Sequence, residues 1–316
     1  MNGTENTSRK QDMRILMTGA TGFIGSNLIR DLCQTTDHAF SIVKRERSDT
    51  SALSDILDKI KVYTLDPAAD NIYEILAQEK PDMIIHLATL FLGSHSRAQV
   101  PLLVESNILF PTKLLDAMAS SGVRKFINTG SFSEHWNCKT EYDPVNLYSS
   151  TKRALEDILC YYVNAHHIKA ITLKLFDTYG PHDPRPKIFS ILKKGLREDS
   201  PIDLSPGQQT IDFLYIEDVV EAYKKAIEFL GKDTDVSYET VFIGSGQSHT
   251  IREVVSIFQE VAGRKINVNW GARSYREREI MIAIADIRKA DDLLAWRPRF
   301  SLKQGLSKMM TEEKIR

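Results

Sequence analysis

Gly19-Ala20-Thr21-Gly22-Phe23-Ile24-Gly25 stands between an apolar run, Ile15-Leu16-Met17, and a helical pattern from Ser26 to Leu32. A strand, a glycine-rich turn and a helix in that order form the setting in which a dinucleotide pyrophosphate is held, because the backbone approaches the phosphates closely and the helix N-terminus turns its positive end towards them. Gly19 suits the tight turn, Gly22 the close approach to the pyrophosphate and Gly25 the packing of helix on strand. Thr21, Phe23 and Ile24 complete the surface expected against the cofactor. The spacing is G-x-x-G-x-x-G, not the commoner G-x-G-x-x-G.

Outward from this turn, short apolar runs alternate with amphipathic stretches. Residues 15–18, 40–43, 60–64, 83–87, 125–129 and 171–175 read as strands and the segments between them as helices. Strands that are continuously apolar, not apolar at every second residue, indicate a parallel sheet covered on both faces. The expected fold is α/β: a Rossmann-like doubly wound sheet with a smaller, interleaved C-terminal α/β substrate domain. Residues 1–12 read as a disordered tail and 13–180 as the NAD(P)-binding domain, which regains about 212–246 through a helix over 213–229 and a strand over 240–243. The substrate domain is then 181–211 with 247–316.

A chain of 316 residues buries a large core, and 41 Lys and Arg against 42 Asp and Glu create no field towards nucleic acid or an anionic membrane. No apolar run approaches the roughly 18 residues of a membrane-spanning helix, and the first dozen residues are polar, so a cytoplasmic protein working on small molecules is expected. Cys33, Cys138 and Cys160 have no disulfide or zinc spacing, and the adjacent His166 and His167 point to different helix faces. No metal is expected.

The second strand ends in Lys44-Arg45-Glu46-Arg47. Lys44, Arg45 and Arg47 suit a 2′-phosphate, which favours NADP(H), while Glu46 keeps NAD(H) open. Asp66, after the third strand, suits either the adenine amino group or, in Asp66-Pro67, a helix N-cap. Tyr148 and Lys152 lie four residues apart at the start of a helical pattern running to about residue 166, on one helix face. The lysine charge is expected to lower the phenol's pKa towards neutrality, as a proton-exchanging tyrosine requires. Ser131, after the fifth strand, is placed to bind the oxygen that Tyr148 serves; Ser133 is a second candidate, or a loop hydrogen-bonding residue.

This set resembles the extended short-chain dehydrogenase/reductases, the NAD(P)-dependent epimerases, dehydratases and ketoreductases of sugar nucleotides. The likeness runs from about residue 13 to the C-terminus. Besides the glycine turn and the Ser131, Tyr148 and Lys152 triad, it includes His86-Leu87-Ala88-Thr89, Asn107, Tyr179-Gly180-Pro181, Asp212-Phe213 with Asp218, and Trp296-Arg297-Pro298. The resemblance implies that Tyr148 is the general acid/base, that Lys152 also holds the nicotinamide ribose, and that Ser131 binds the sugar oxygen. It places Leu87, Ala88, Thr89 and Asn107 along the cofactor, and Thr89, Ser133, Asp177 and Arg276 towards substrate. Arg276 would grip a pyrophosphate, unless it pairs with Glu277 or Glu279. Two positions depart from the pattern: Ile211 stands where the family usually has Arg, and Asp177 where it has Asn.

Family 4,6-dehydratases carry Asp and Glu directly after the triad Ser or Thr. Here Phe132 and Ser133 stand there, so elimination is not expected. His86-Leu87-Ala88-Thr89, Tyr161-Tyr162, Arg276 and Glu279-Ile280-Met281 are similar to 4-ketoreductases of the CDP-abequose and CDP-paratose synthase type. The expected activity is NADPH-dependent reduction of the C4 ketone of a CDP- or dTDP-linked 4-keto-6-deoxy or 3,6-dideoxy hexose. The alternatives are an NAD-dependent sugar-nucleotide 4-epimerase and a non-catalytic dinucleotide-binding regulator of the same fold. The resemblance also implies a homodimer through the Tyr148 helix and the one before it, with Leu155, Leu159 and Tyr162 at the interface or else covering the sheet.

Overall fold

A computed structural model describes residues 12–66, 68–198, 200–232 and 235–315. All but the last residue of the expected N-terminal tail lies outside them. In chain order the strands are β1 (Arg14–Thr18), β2 (Ala39–Arg45), β3 (Ile60–Leu65), β4 (Met83–His86), β5 (Lys125–Ser131), β6 (Lys169–Leu175), β7 (Asp177–Tyr179), β8 (Ile202–Leu204), β9 (Thr210–Tyr215), β10 (Tyr238–Ile243), β11 (Ser248–Thr250) and β12 (Val268–Trp270). The α-helices are α1 (Phe23–Thr35), α2 (Ile72–Glu79), α3 (Val100–Val104), α4 (Phe110–Ser121), α5 (Leu147–His166), α6 (Ile188–Glu198), α7 (Ile216–Gly231), α8 (Ile251–Ala262), α9 (Arg288–Leu294) and α10 (Leu302–Glu312).

Seven strands pair in the order β10-β6-β5-β4-β1-β2-β3, every neighbour parallel. The reason is visible in β1. Ile15 and Met17 join the apolar cluster of α1 and α7, whereas Leu16, pointing the other way, joins the cluster of α2, α4 and α5. Successive side chains alternate between faces, and both faces are covered, so every position must be apolar. Strand order reverses between β1 and β4, which opens a crevice at the carboxyl ends of these strands. The glycine turn, the segment after His86 and Ser131 all sit on that edge.

The helix spanning 100–121 is broken between α3 and α4 by one π turn, Glu105–Leu109. Pro111 has no amide to give the carbonyl four residues back, that of Asn107, and the helix widens there. After β7 the order is irregular: β9 lies between β7 and β11, and β8 pairs with β12. The helix expected over 213–229 begins at Ile216, since Phe213 and Leu214 belong to β9. A contiguous apolar run does not separate a buried strand from a helix start. Asp212 and Asp218 are fully buried ties: Asp212 accepts from the amides of Ser245, Gly246 and Ala285, and Asp218 from those of Arg299 and Phe300.

Leu155, Leu159 and Tyr162 are buried in the chain's own core beneath α5. They cover the sheet and are not free to form an interface. No helix among the described residues is long and apolar enough to cross a membrane.

Candidate active site

Gly19 has φ +75°, and a Cβ there would stand 2.5 Å from the Ala88 amide nitrogen and 2.6 Å from the Leu87 carbonyl carbon. Only glycine lets the turn after β1 touch the segment after β4. A Cβ on Gly25 would lie 2.2 Å from the Gly19 carbonyl oxygen, so α1 is seated directly on the turn. Gly22 differs: its nearest contact would be that same oxygen at 3.4 Å, an almost ordinary distance. It caps α1 without a side chain, leaving the first-turn amides of Phe23, Ile24 and Gly25 open to an anion. This cradle, with Thr21 on its rim, fits a dinucleotide pyrophosphate.

Arg45 and Arg47 are exposed at the end of β2, the strand beside β1. Neither they nor Lys44, whose ammonium rests on the carbonyls of Arg45 and Glu46, forms an ion pair among the described residues. Asp66 accepts from the amides of Ala68 and Ala69, whereas α2 starts after Asn71. The helix N-cap reading of Asp66 therefore fails, because its carboxylate closes the preceding turn; Pro67 lies outside the described residues.

Asn107, buried in the π turn, spends its whole amide within the protein. Its Oδ1 accepts from Thr89 Oγ1 at 3.0 Å and the Leu90 amide at 2.7 Å, and its Nδ2 donates to the Leu90 carbonyl and Thr151 Oγ1, both at 3.0 Å. A saturated amide has nothing left for a ligand. Asn107 clamps the segment carrying Leu87, Ala88 and Thr89 and does not itself offer a cofactor contact.

Tyr148 and Lys152 are both buried on the inner face of α5, and Thr89 and Ser131 supply the hydroxyls beside the Tyr148 oxygen. Phe91 meets the Tyr148 ring edge-on at 4.9 Å. The expected lowering of the Tyr148 pKa does not occur: burial pushes it well above its ordinary value and the Glu134 charge adds to this. A hydrogen bond donated by Thr89 or Ser131 would oppose the rise, and Arg185, not Lys152, is the cation that does so; the cost of desolvating a phenolate outweighs them. Lys152 itself is lowered to about 8 by burial, against Glu134 and Glu156, which hold it up. His86, lowered to about 3 by burial and by Lys152, is neutral, with Nδ1 2.7 Å from Thr18 Oγ1.

Ser133 sits one step from the phenol, with its Oγ 2.7 Å from Ser131 Oγ and 2.8 Å from Ser149 Oγ. Glu134 turns inward: one oxygen accepts from the Ser131 amide at 3.0 Å and the other pairs with Lys174 at 2.7 Å. Lys174 also meets Glu156 at 3.2 Å. Asp177, expected towards substrate, is neutralised by Lys187. Arg276 is exposed beside Gly93 and makes no ion pair among the described residues; Glu279 bonds its backbone amide instead. Ile211 is buried in β9.

Several residues escaped the reading of the sequence. Arg185 lies 4.8 Å over the Phe23 ring and donates to the Thr178 carbonyl, and Lys187 lies 5.9 Å over Phe91. Their signal was the basic pair in Pro184-Arg185-Pro186-Lys187. Glu134 was legible as the partner of Ser131 in a capping box, S-x-x-E, and Asn146 as the cap of α5.

The sequence pattern described as the NAD dependent epimerase/dehydratase family matches residues 15–244. A CDP-abequose synthase of Salmonella muenchen is 28% identical over 94% of this chain and 97% of its own length. A UDP-glucose 4-epimerase of Rhizobium leguminosarum bv. trifolii is 24% identical over 92% and 94%. Among solved structures, the UDP-glucuronic acid 4-epimerase from Bacillus cereus in complex with UDP-glucuronic acid and NAD superposes with a TM-score of 0.84, 26% identity and coverage of 96% of this chain and 99% of that one. The chain belongs to the NAD dependent epimerase/dehydratase family, NAD(P)-dependent extended short-chain dehydrogenase/reductases that act on nucleotide sugars.

Proposed function

We propose that this protein reduces the C4 ketone of a CDP- or dTDP-linked 4-keto-6-deoxy or 3,6-dideoxy hexose with NADPH. The observation that carries the reading is the Tyr148 phenol, held protonated by burial and by Glu134 beside a cradle for a dinucleotide. A reductase begins with a tyrosine that gives a proton; a 4-epimerase begins with one that takes it. Similarity to CDP-abequose synthases and the unpaired Arg45 and Arg47 support the same choice, the latter as partners for a 2′-phosphate. The alternative, an NAD-dependent 4-epimerase, draws on Glu46 and on the NAD complexes among similar structures.

The glycine turn would hold the pyrophosphate, Lys44, Arg45 and Arg47 the adenine ribose end, Leu87, Ala88 and Thr89 the middle, and Lys152 the nicotinamide ribose. When bound, the cofactor supplies the hydride. Tyr148 gives its phenolic proton to the ketone oxygen as that oxygen gains charge. Arg276, whose guanidinium beside Gly93 makes no ion pair among the described residues, would take the substrate pyrophosphate as a bidentate fork. Elimination has no acid here, because Glu134 is committed to Lys174 and to the Ser131 amide.

The test is direct. Purified protein should consume NADPH with a 4-keto-6-deoxy sugar nucleotide, and mass spectrometry of dinucleotide released on denaturation should find no tightly held NAD. Retained NAD with interconversion of 4-epimers and no net redox would establish the epimerase instead.

The assembly we infer is a homodimer through the outer surface of the 100–121 helix and α5. Leu102 and Tyr161 there are 51% and 60% exposed, unlike the buried Leu155 and Leu159. Light scattering should give twice the chain mass, and Tyr161→Glu with Leu109→Glu should give the chain mass; a monomeric native protein would refute the dimer.

A further inference from the structure

The hydroxyl protons around Tyr148 are committed away from it. Thr89, one of its two hydroxyl neighbours, lies 3.0 Å from Asn107 Oδ1, an oxygen that only accepts. The orientation of that amide is fixed, since Oδ1 also takes the Leu90 amide at 2.7 Å while Nδ2 donates to the Leu90 carbonyl. Thr89 therefore gives its proton to Asn107.

Ser131, the other neighbour, leads to the same kind of end through a longer route. Its Oγ is 2.7 Å from Ser133 Oγ, which is 2.8 Å from Ser149 Oγ, which is 3.0 Å from Asn146 Oδ1. The Asn146 amide is fixed as well: Oδ1 accepts from the Ser149 backbone amide at 3.0 Å, and Nδ2 donates to the Gly93 carbonyl at 3.3 Å. A hydroxyl has one proton, so the terminal acceptor sets the whole chain: Ser149 gives to Asn146, Ser133 to Ser149, and Ser131 to Ser133. Thr89 and Ser131 would hold a phenolate down if they donated to it, but with both protons committed elsewhere they offer Tyr148 only lone pairs.

We propose that Asn107 and Asn146, acting through Thr89 and through the Ser131–Ser133–Ser149 hydroxyl chain, are positioning residues that hold Tyr148 as a neutral phenol ready to donate. A phenol has a proton to give to such neighbours. A phenolate needs donors, and obtains one only if Thr89 gives up its bond to Asn107 Oδ1, or if three serine hydroxyls rotate together and Asn146 Oδ1 loses a bond. The chain ends on a carboxamide, which neither supplies nor removes a proton, so it sets polarity and does not conduct protons to solvent. This deepens the reductase reading and rests on it, because that reaction starts from the protonated tyrosine.

The other groups acting on this phenol are Glu134 after β5, Arg185 after β7 and Tyr223 on α7, with Lys152 one turn along α5. The test leaves all of them in place. Ser149→Ala removes one hydroxyl but keeps the backbone amide that Asn146 caps, so α5 retains its start. With 3,5-difluorotyrosine at position 148 of the full chain, the phenol titrates within the range the fold tolerates and is read by fluorine NMR. Ser149→Ala frees Ser133 and Ser131 to donate towards the phenolate, and its midpoint is expected about one pH unit below that of the otherwise native chain. Ser133→Ala, which cuts the same chain, should shift it in the same direction, and the double variant should shift it no further. Ser149→Thr, which keeps the hydroxyl, should restore the native midpoint. An unchanged or raised midpoint in both alanine variants, or additive shifts, would overturn the proposal. The titration uses no substrate, so a protein that reduces no 4-keto sugar would refute the reductase reading without touching this result.

Discussion

Under the proposed reduction, Tyr148→Phe is expected to keep its affinity for NADPH and to lose turnover of a 4-keto sugar nucleotide by about a thousandfold, the middle of the range for a missing general acid. The substitution removes one oxygen and little else. The ring is 8% exposed and packed edge-on against Phe91, contacts that phenylalanine preserves. No neighbour replaces the lost acid: His86 is neutral and tied to Thr18, and Thr89 and Ser131 are ordinary alcohols whose protons are already engaged. Because the glycine turn is untouched, the loss belongs to kcat, with the cofactor Kd from NADPH fluorescence nearly constant. Turnover within tenfold of the native rate would remove Tyr148 from the chemistry.

How far such a site is legible in sequence depends on how local its geometry is. The six strands read from 15–18 to 171–175 each overlap an observed strand; in β1, β2 and β4 burial on both faces demands a largely apolar run, while the edge strand β3 interleaves apolar with exposed residues. The turn from Gly19 to Gly25 was equally plain, since two of its three glycines are required by contacts within a few residues or with one neighbouring strand end. Tyr148, Lys152 and Glu156 fall four residues apart on one helix, so their shared face needed no tertiary knowledge. What failed was electrostatics. The spacing of Tyr148 and Lys152 is right, yet the sign of the Tyr148 shift depends on Glu134 and on the surrounding desolvation, which join the helix only through the fold. Arg185, Lys187 and Asp177 likewise acquire meaning only when the segment after β7 crosses over Phe23 and Phe91.

Lys174→Met should be the most damaging change outside the substrate crevice, destabilising the fold by about 3–5 kcal/mol at neutral pH, as loss of one partner from a buried ion pair does. Lys174, Glu134 and Glu156 are almost wholly buried, and Lys174 serves both carboxylates. A Cβ added at Gly130 would meet Lys174 Cγ at 2.9 Å and Glu156 Oε1 at 3.0 Å, so the cluster is packed too tightly for water to replace the ammonium. Methionine fills a similar volume, which isolates the charge as the missing element. The sign of the pH dependence follows from Glu156, whose pKa is already pushed up by burial and by Glu134. A carboxyl raised in the folded state binds its proton more tightly there than in the unfolded chain, so stability is lost as pH rises from the unfolded value through the folded one. Without Lys174 the rise grows. Urea unfolding should therefore find the variant close to the native protein at about pH 5 and far weaker at about pH 8, a steeper decline than the native chain shows. Because Glu134 also holds the Ser131 amide, turnover should fall with stability as the carboxylates ionise and separate. A loss below about 1 kcal/mol, or one independent of pH, would mean that the lysine contributes packing alone and that the two carboxylates share a proton in the native protein.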